Sequence, residues 1–150
     1  MSRAKAQRGL DVPSLAVRGK ELKVYTKKTT LTSAQVLASF TTPISLVDAP
    51  WAGFGIVVHR ITGSVDYNSA AYATNVTLEA RYTNGSGTKV SADITGLIDA
   101  TADKIVSAGG VEAVTVVTAN APVVIRTATG NPTAGNSPVS FNVDYSIVAI

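Results

Sequence analysis

The last twelve residues, Val139 to Ile150, limit most what the chain can become. Val139, Phe141, Val143, Tyr145, Ile147 and Ala149 fall on one side of an extended backbone, and Ser140, Asn142, Asp144 and Ser146 on the other. Successive side chains in a strand point to opposite faces, so this alternation describes a half-buried β-strand, and a helical period fits it badly. Val148 and Ile150 then break the polar side of the pattern, which predicts an end covered on both faces. Such a strand needs partners already in place, so the chain reads as a β-protein that closes with its tail.

Those partners are visible upstream. Glu21–Thr26 is a short strand candidate, followed by lysines that suit an edge strand. Ser33 is placed to cap a short helix over Val36, Leu37 and Phe40, which Pro43 would stop, and Ile44, Leu46 and Val47 form a short strand after it. Trp51–Tyr67 reads as a long strand. Phe54 to Val58 is apolar on both faces, then Ile61, Val65 and Tyr67 face in while Arg60, Thr62, Ser64 and Asp66 face out. From Tyr72 to Tyr82 the inward set is Tyr72, Val76, Leu78, Ala80 and Tyr82, and the outward set is Asn75, Thr77, Glu79 and Arg81.

Asn84-Gly85-Ser86-Gly87 is a hairpin loop leading to Lys89–Thr95. Gly96–Ala108 is the best helix candidate, with Leu97, Ile98, Thr101, Ala102 and Ile105 on one face and Gly109-Gly110 as a stop. Val111–Thr118 and Pro122–Ala128 flank a turn at Asn120-Ala121, and Thr129–Pro138 is a loop. The expected fold is all-β with at most one short helix: a β-sandwich or jelly-roll-like barrel over residues 21–150, preceded by an extended basic N-terminal arm over residues 1–20.

Charge is scarce and unevenly placed. Only 15% of residues are charged and 45% are hydrophobic, against roughly 25% charged in ordinary soluble domains, which points to surface covered by something else. Residues 1–28 carry eight basic and two acidic side chains, a net of +6, while the remainder carries five basic and eight acidic, a net of −3. The arm, broken by Gly9, Pro13 and Gly19, has no sustained period. Stretched out, its twenty residues would reach roughly 65 Å at about 3.3 Å each. Its candidate partner-binding residues are Arg3, Lys5, Arg8, Arg18 and Lys20, with Lys23 just beyond.

The function classes narrow accordingly. The chain has no cysteine and one histidine, which argues against a disulfide framework, a thiolate metal site or a histidine-rich metal site. No apolar run follows the basic N-terminal residues, so no signal peptide is expected, and no stretch is long enough to predict a membrane span. His59 sits in the core-facing phase of its strand and reads as a buried structural histidine. Gly85-Ser86-Gly87-Thr88-Lys89 lacks the glycine spacing and following helix of a phosphate-binding loop. Asn75-Val76-Thr77 and Asn84-Gly85-Ser86 match the glycosylation pattern without a secretory context. Asp99 and Asp103, one helical turn apart, read as a solvated face.

No catalytic, cofactor-binding or metal-binding residue is assigned, and no enzyme is expected. The arm can neutralise phosphates or lie along an acidic protein neighbour. It lacks the aromatic interleaving of single-strand nucleic-acid binders, which disfavours nucleic acid. Val148 and Ile150 are the candidate subunit interface, because the apolar, charge-poor body favours protein assembly.

Residues 31–150 resemble small β-rich structural proteins of tailed bacteriophage virions, especially capsid decoration (cement) proteins. The resemblance lies in Leu31-Thr32-Ser33-Ala34-Gln35-Val36-Leu37 leading to Thr42-Pro43-Ile44, in Tyr67 with Tyr72-Ala73, and in Val143-Asp144-Tyr145-Ser146-Ile147. It implies a non-enzymatic role on the outside of an icosahedral shell, as a homotrimer that holds adjacent coat subunits together. The implied partners are the major capsid (coat) protein and further copies of this chain. The implied location is the virion surface after assembly in the bacterial cytoplasm. The alternative is a tail or head fibre component binding a receptor or glycan, for which Trp51, Phe54 or the Tyr67–Tyr72 connection would supply aromatics.

Overall fold

The computed structural model describes residues 23–111 and 116–150. The arm over residues 1–20, and the middle of the strand expected over Val111–Thr118, lie outside the described residues. The elements in chain order are β1 (Tyr25–Leu31), α1 (Ser33–Leu37), β2 (Ile44–Val47), β3 (Phe54–Val65), β4 (Tyr72–Ala73), β5 (Leu78–Tyr82), β6 (Lys104–Gly109), β7 (Val123–Thr127), β8 (Thr133–Ala134) and β9 (Val139–Ala149). They form a four-stranded sheet in the order β1-β9-β3-β6, a three-stranded sheet β2-β7-β5 and a two-stranded ribbon β4-β8. Every pairing between these strands is antiparallel.

The alternating C-terminal strand sits in the interior of the larger sheet, between β1 and β3, and its inward residues build the core. β9 pairs with β3 from Val65↔Val139 to Phe54↔Ala149, and with β1 from Leu31↔Val139 to Tyr25↔Tyr145. Val139, Phe141 and Val143 are buried, beside Ile56, Ile61 and Val65 of β3. Leu46, Val47, Leu78, Ala80, Tyr82, Val123 and Ile125 face them from the smaller sheet within one apolar cluster. The result is a sandwich, without a closed barrel among the described residues.

The two sides of the sandwich are sealed differently. Where β1 meets β2, side chains bridge the sheets: Thr29 Oγ1 donates to the Leu46 carbonyl (3.4 Å) and Lys27 Nζ to Asp48 (2.9 Å). On the other side, residues 89–94 bridge to β5 at Leu78↔Ile94 and Arg81↔Lys89, and to the end of β6 at Ser91↔Gly110. The strand expected over Lys89–Thr95 is therefore reduced to single bridges, because its residues serve two sheets in turn.

Several expectations need correction. No helix forms over Gly96–Ala108. Leu97 and Ile98 are buried in a loop, Lys104–Gly109 is a strand, and Ile105 is 71% exposed. The helical face required Leu97 and Ile105 to be buried together, whereas Leu97 drops onto Gly63 and Phe141 and Ile105 lies on the outside of a sheet edge. Any Cβ at Gly63 would meet Leu97 at 2.5 Å.

The short helix does form, as α1, but Thr32 rather than Ser33 is its N-cap. Its side chain accepts from the Gln35 N–H while Gln35 Oε1 accepts from the Thr32 N–H, a capping box. The first strand begins four residues later than Glu21. Its register places Tyr25, Lys27, Thr29 and Leu31 opposite the inward row of β9, so Val24 is exposed. His59 points outward: a bulge between Val58 and Arg60 puts two consecutive residues on the outer face and restores the inward phase at Ile61. Glu79 is 3% exposed rather than solvated.

Candidate interaction surface

The two longest strands outrun their neighbours. β1 stops at Tyr25, opposite Tyr145, and β6 stops at Gly109, opposite Arg60, whereas β3 and β9 continue paired to Phe54 and Ala149. At this end Ile150 donates its N–H to the Gly53 carbonyl (2.9 Å) and Asn120 donates to the Phe54 carbonyl (2.8 Å). Val117 lies over Gly55 so closely that a Cβ there would sit 2.3 Å from Val117 Cγ1 and 3.1 Å from Ile150 Cδ1. Glycine is thus what lets the 116–120 segment lie on β3. Trp51 leans on Phe54 with ring centroids 5.0 Å apart.

Trp51 is 63% exposed, Val116 60% and Ile150 58%. Val148 is half-buried. Of the two residues expected at a subunit interface, Val148 is thus partly covered by the chain itself and Ile150 is open. Scattered surface leucines or valines mean little, but a tryptophan and an isoleucine bared at one end of a packed sandwich make this end a candidate contact surface. The doubly apolar tail carried the signal for Ile150 and Val148. Nothing in the local sequence signals Val117, whose contact with Gly55 spans sixty-two positions of chain.

Of the basic candidates, Arg3, Lys5, Arg8, Arg18 and Lys20 lie outside the described residues. Lys23 Nζ sits 5.3 Å from the centroid of the Tyr25 ring, which stacks on Tyr145 at 5.6 Å. The root of the arm is therefore beside β9 at the point where β1 ends. The outer face of the larger sheet, by contrast, is a polar lattice. Thr26 donates to Asp144 (2.7 Å), Thr30 bonds Ser140 (2.8 Å), Thr62 bonds Ser107 (2.9 Å), and Arg60 pairs with Asp144 (3.3 Å). These groups satisfy one another.

The remaining polar residues are occupied structurally. His59 Nε2 lies 2.8 Å from Ser146 Oγ, but Ser146 is fully buried and so is not accessible to a substrate. Glu79 lies among Arg81 (2.7 Å), Arg126 (2.9 Å) and Lys89 (3.8 Å). Burial raises the Glu79 carboxyl pKa, but hydrogen bonds and charge from Arg81 and Arg126 outweigh that and hold it below the usual carboxylate range. Arg81 also donates to the Gly87 carbonyl (2.8 Å), which pins the hairpin loop over Asn84–Gly87. Asp103 accepts from the Tyr67 N–H (2.8 Å), and no helix brings Asp99 beside it. Among the described residues no three His, Cys, Asp or Glu side chains gather at one point, and no helix is long and apolar enough to cross a membrane.

No protein-family model matches the chain, and no curated protein matches it. The solved structures to which the chain is similar include two phage capsids. One is a chain of the cyanophage Pam1 capsid asymmetric unit, at 19% identity over 84% of each chain with a TM-score of 0.46. The other belongs to the capsid of Ralstonia phage GP4, at 15% identity over 83% of this chain and 84% of that one, with a TM-score of 0.47.

Proposed function

We propose that this chain is a non-enzymatic structural protein of a tailed-bacteriophage virion, a decoration or cement protein. It binds the outside of the coat shell as a homotrimer and ties adjacent coat subunits together. The observation that carries the assembly part of this reading is the bared apolar end, Trp51 with Phe54 and Ile150, on a sandwich whose core is otherwise closed. The sequence adds a cationic arm, net +4 over residues 1–20, on a body of net −1 over residues 21–150, suited to lying along an acidic protein neighbour. The resemblance of residues 31–150 supplies the shell as the place where such a body and arm would work. Several standard interfaces of about 1,600 Å² per trimer would let modest contacts reinforce one another. Deleting residues 1–20 should leave the body folded and abolish occupancy on isolated capsids. Full occupancy by the truncated chain would remove the arm's role.

A second reading is favoured by one feature. Trp51, exposed and backed by Phe54 at 5.0 Å, is the arrangement a sugar ring stacks on, as in a fibre component that reads a glycan. Binding on a glycan array that disappears with Trp51→Ala would select this reading over the first.

A further inference from the structure

The open end of β9 carries a second property beside its apolar surface. β1 covers β9 only as far as Tyr145. Ile150 turns its N–H toward Gly53 on the β3 side, and backbone groups alternate along an antiparallel strand. Ile147 and Ala149 therefore turn their N–H and C=O groups to the β1 side. Among the described residues those groups have no backbone partner. An unpaired strand edge between apolar faces is a template for one more strand.

We propose that this edge receives the N-terminal arm of a second copy of the chain, by way of Ser14–Arg18. The argument rests on where the chain outside the described residues is attached and what it contains. Lys23 and Val24 stand next to the edge but are not strand-paired to it. Continued in the register of β1, Lys20 would come opposite Ile150. Leu15 and Val17 would then lie past the end of the sheet, unable to reach their own chain's edge without turning back. Yet Ser14–Arg18 is the segment of the arm with strand alternation: Leu15 and Val17 on one side, Ser14, Ala16 and Arg18 on the other, bounded by Pro13 and Gly19. A neighbour's edge offers that segment four backbone groups and the apolar faces around Val148 and Ile150.

Passing each arm to the next copy is a head-to-tail contact, which closes into a ring under three-fold symmetry. This step rests on the homotrimer reading above. It leaves Arg3, Lys5 and Arg8 on a free leader of twelve residues, about 40 Å long when extended, to reach the coat.

The chain contains no cysteine, so introduced thiols report cleanly. A Val17→Cys chain and an Ala149→Cys chain of different tag length are co-expressed and oxidised, and their oligomeric state is measured by light scattering. A disulfide joining the two tagged chains within a trimer is the expected result. Replacing Val17→Cys by Ala4→Cys, on the leader, should reduce that product at least tenfold. A trimer that gives no inter-chain disulfide overturns the arm exchange while sparing the trimer. A Val17→Cys/Ala149→Cys double variant that closes only within one chain overturns it in favour of the chain's own arm. A monomer by light scattering overturns it together with the homotrimer reading.

Discussion

The two ends of β9 share one strand and one alternation, yet they meet opposite surroundings. At the Val139 end, Leu31 of β1 and Val65 of β3 flank the strand, and Leu97 fills the space above Gly63 against Phe141. Tyr72 closes this end: it is 2% exposed and donates its hydroxyl to the Ser137 carbonyl (2.6 Å), and burial pushes its phenol up to about 12. At the Ile150 end, β1 and β6 have both stopped and Trp51 and Ile150 are bare, while two connections of the sandwich are held by charge. Lys27–Asp48 ties β1 to the β2–β3 connection, and Arg81, fixed by Glu79, holds the hairpin loop. Apolar filling closes the inside of one end, although Ile105 of β6, opposite Ser64, is bare at its edge. The other end carries its bare apolar residues on the tail of β9 and the connection before β3.

The largest effect should come from emptying the closed end. Phe141→Ala removes a ring that is 1% exposed, between Gly63 and Leu97. It should cost about 3–5 kcal/mol, because the fixed backbones of β1 and β3 cannot collapse into the space. Urea denaturation followed by far-UV circular dichroism measures it. A loss below about 1 kcal/mol would mean that the two ends are not packed differently.

Charge holds the hairpin loop, so acid should find it. The Glu79 carboxyl is held below the usual range in the folded chain. Its contribution is therefore present at pH values above about 4.5, where the unfolded chain's carboxyl is also ionised, and is lost as pH falls through the lower folded value. Glu79→Gln leaves Arg81 and Arg126 without their carboxylate. It should cost about 2 kcal/mol at pH 7, below the usual figure for a fully buried pair because the arginines are partly solvated. The variant should also show a flatter loss of stability below pH 4.5. An unchanged acid limb would show that Glu79 does not carry it.

How much of this was legible follows from the range of the forces involved. β9, β3 beyond its bulge, and the hairpin at Asn84–Gly87 announce themselves because period-two alternation and turn chemistry act over a few residues. The segment from Gly96 to Ala108 misleads because Leu97, Ile98 and Ile105 happen to share a helical face. Leu97 is instead placed by Gly63 and Phe141, far away in the chain, and Ile105 by its pairing with Ser64 in an edge strand. Glu79 sits in the polar phase of β5, and the arrival of Arg126 from β7, beside Arg81 of its own strand, compensates its burial. The sandwich class was readable. The overhang of β3 and β9 beyond β1 and β6, which makes the open end, depends on strand lengths that no local pattern states. Val148 and Ile150 were legible as an apolar anomaly, without the edge that accompanies them.

The smallest effect on stability should fall where the effect on association is largest. Trp51 contacts Phe54 and otherwise faces solvent, so Trp51→Ala should cost less than about 1 kcal/mol of folding stability, the scale of one aromatic pair. If the open end is an interface, the same change removes the kind of anchor that dominates binding energy, where truncation costs 2 kcal/mol or more. That corresponds to at least a thirtyfold weaker association, since about 1.4 kcal/mol is tenfold. Equilibrium sedimentation of the variant against the unaltered chain, beside a thermal melt of each, separates the two quantities. Equal association with an intact melt would move the interface away from Trp51. Loss of both together would make Trp51 a packing residue and erase the contrast between the ends.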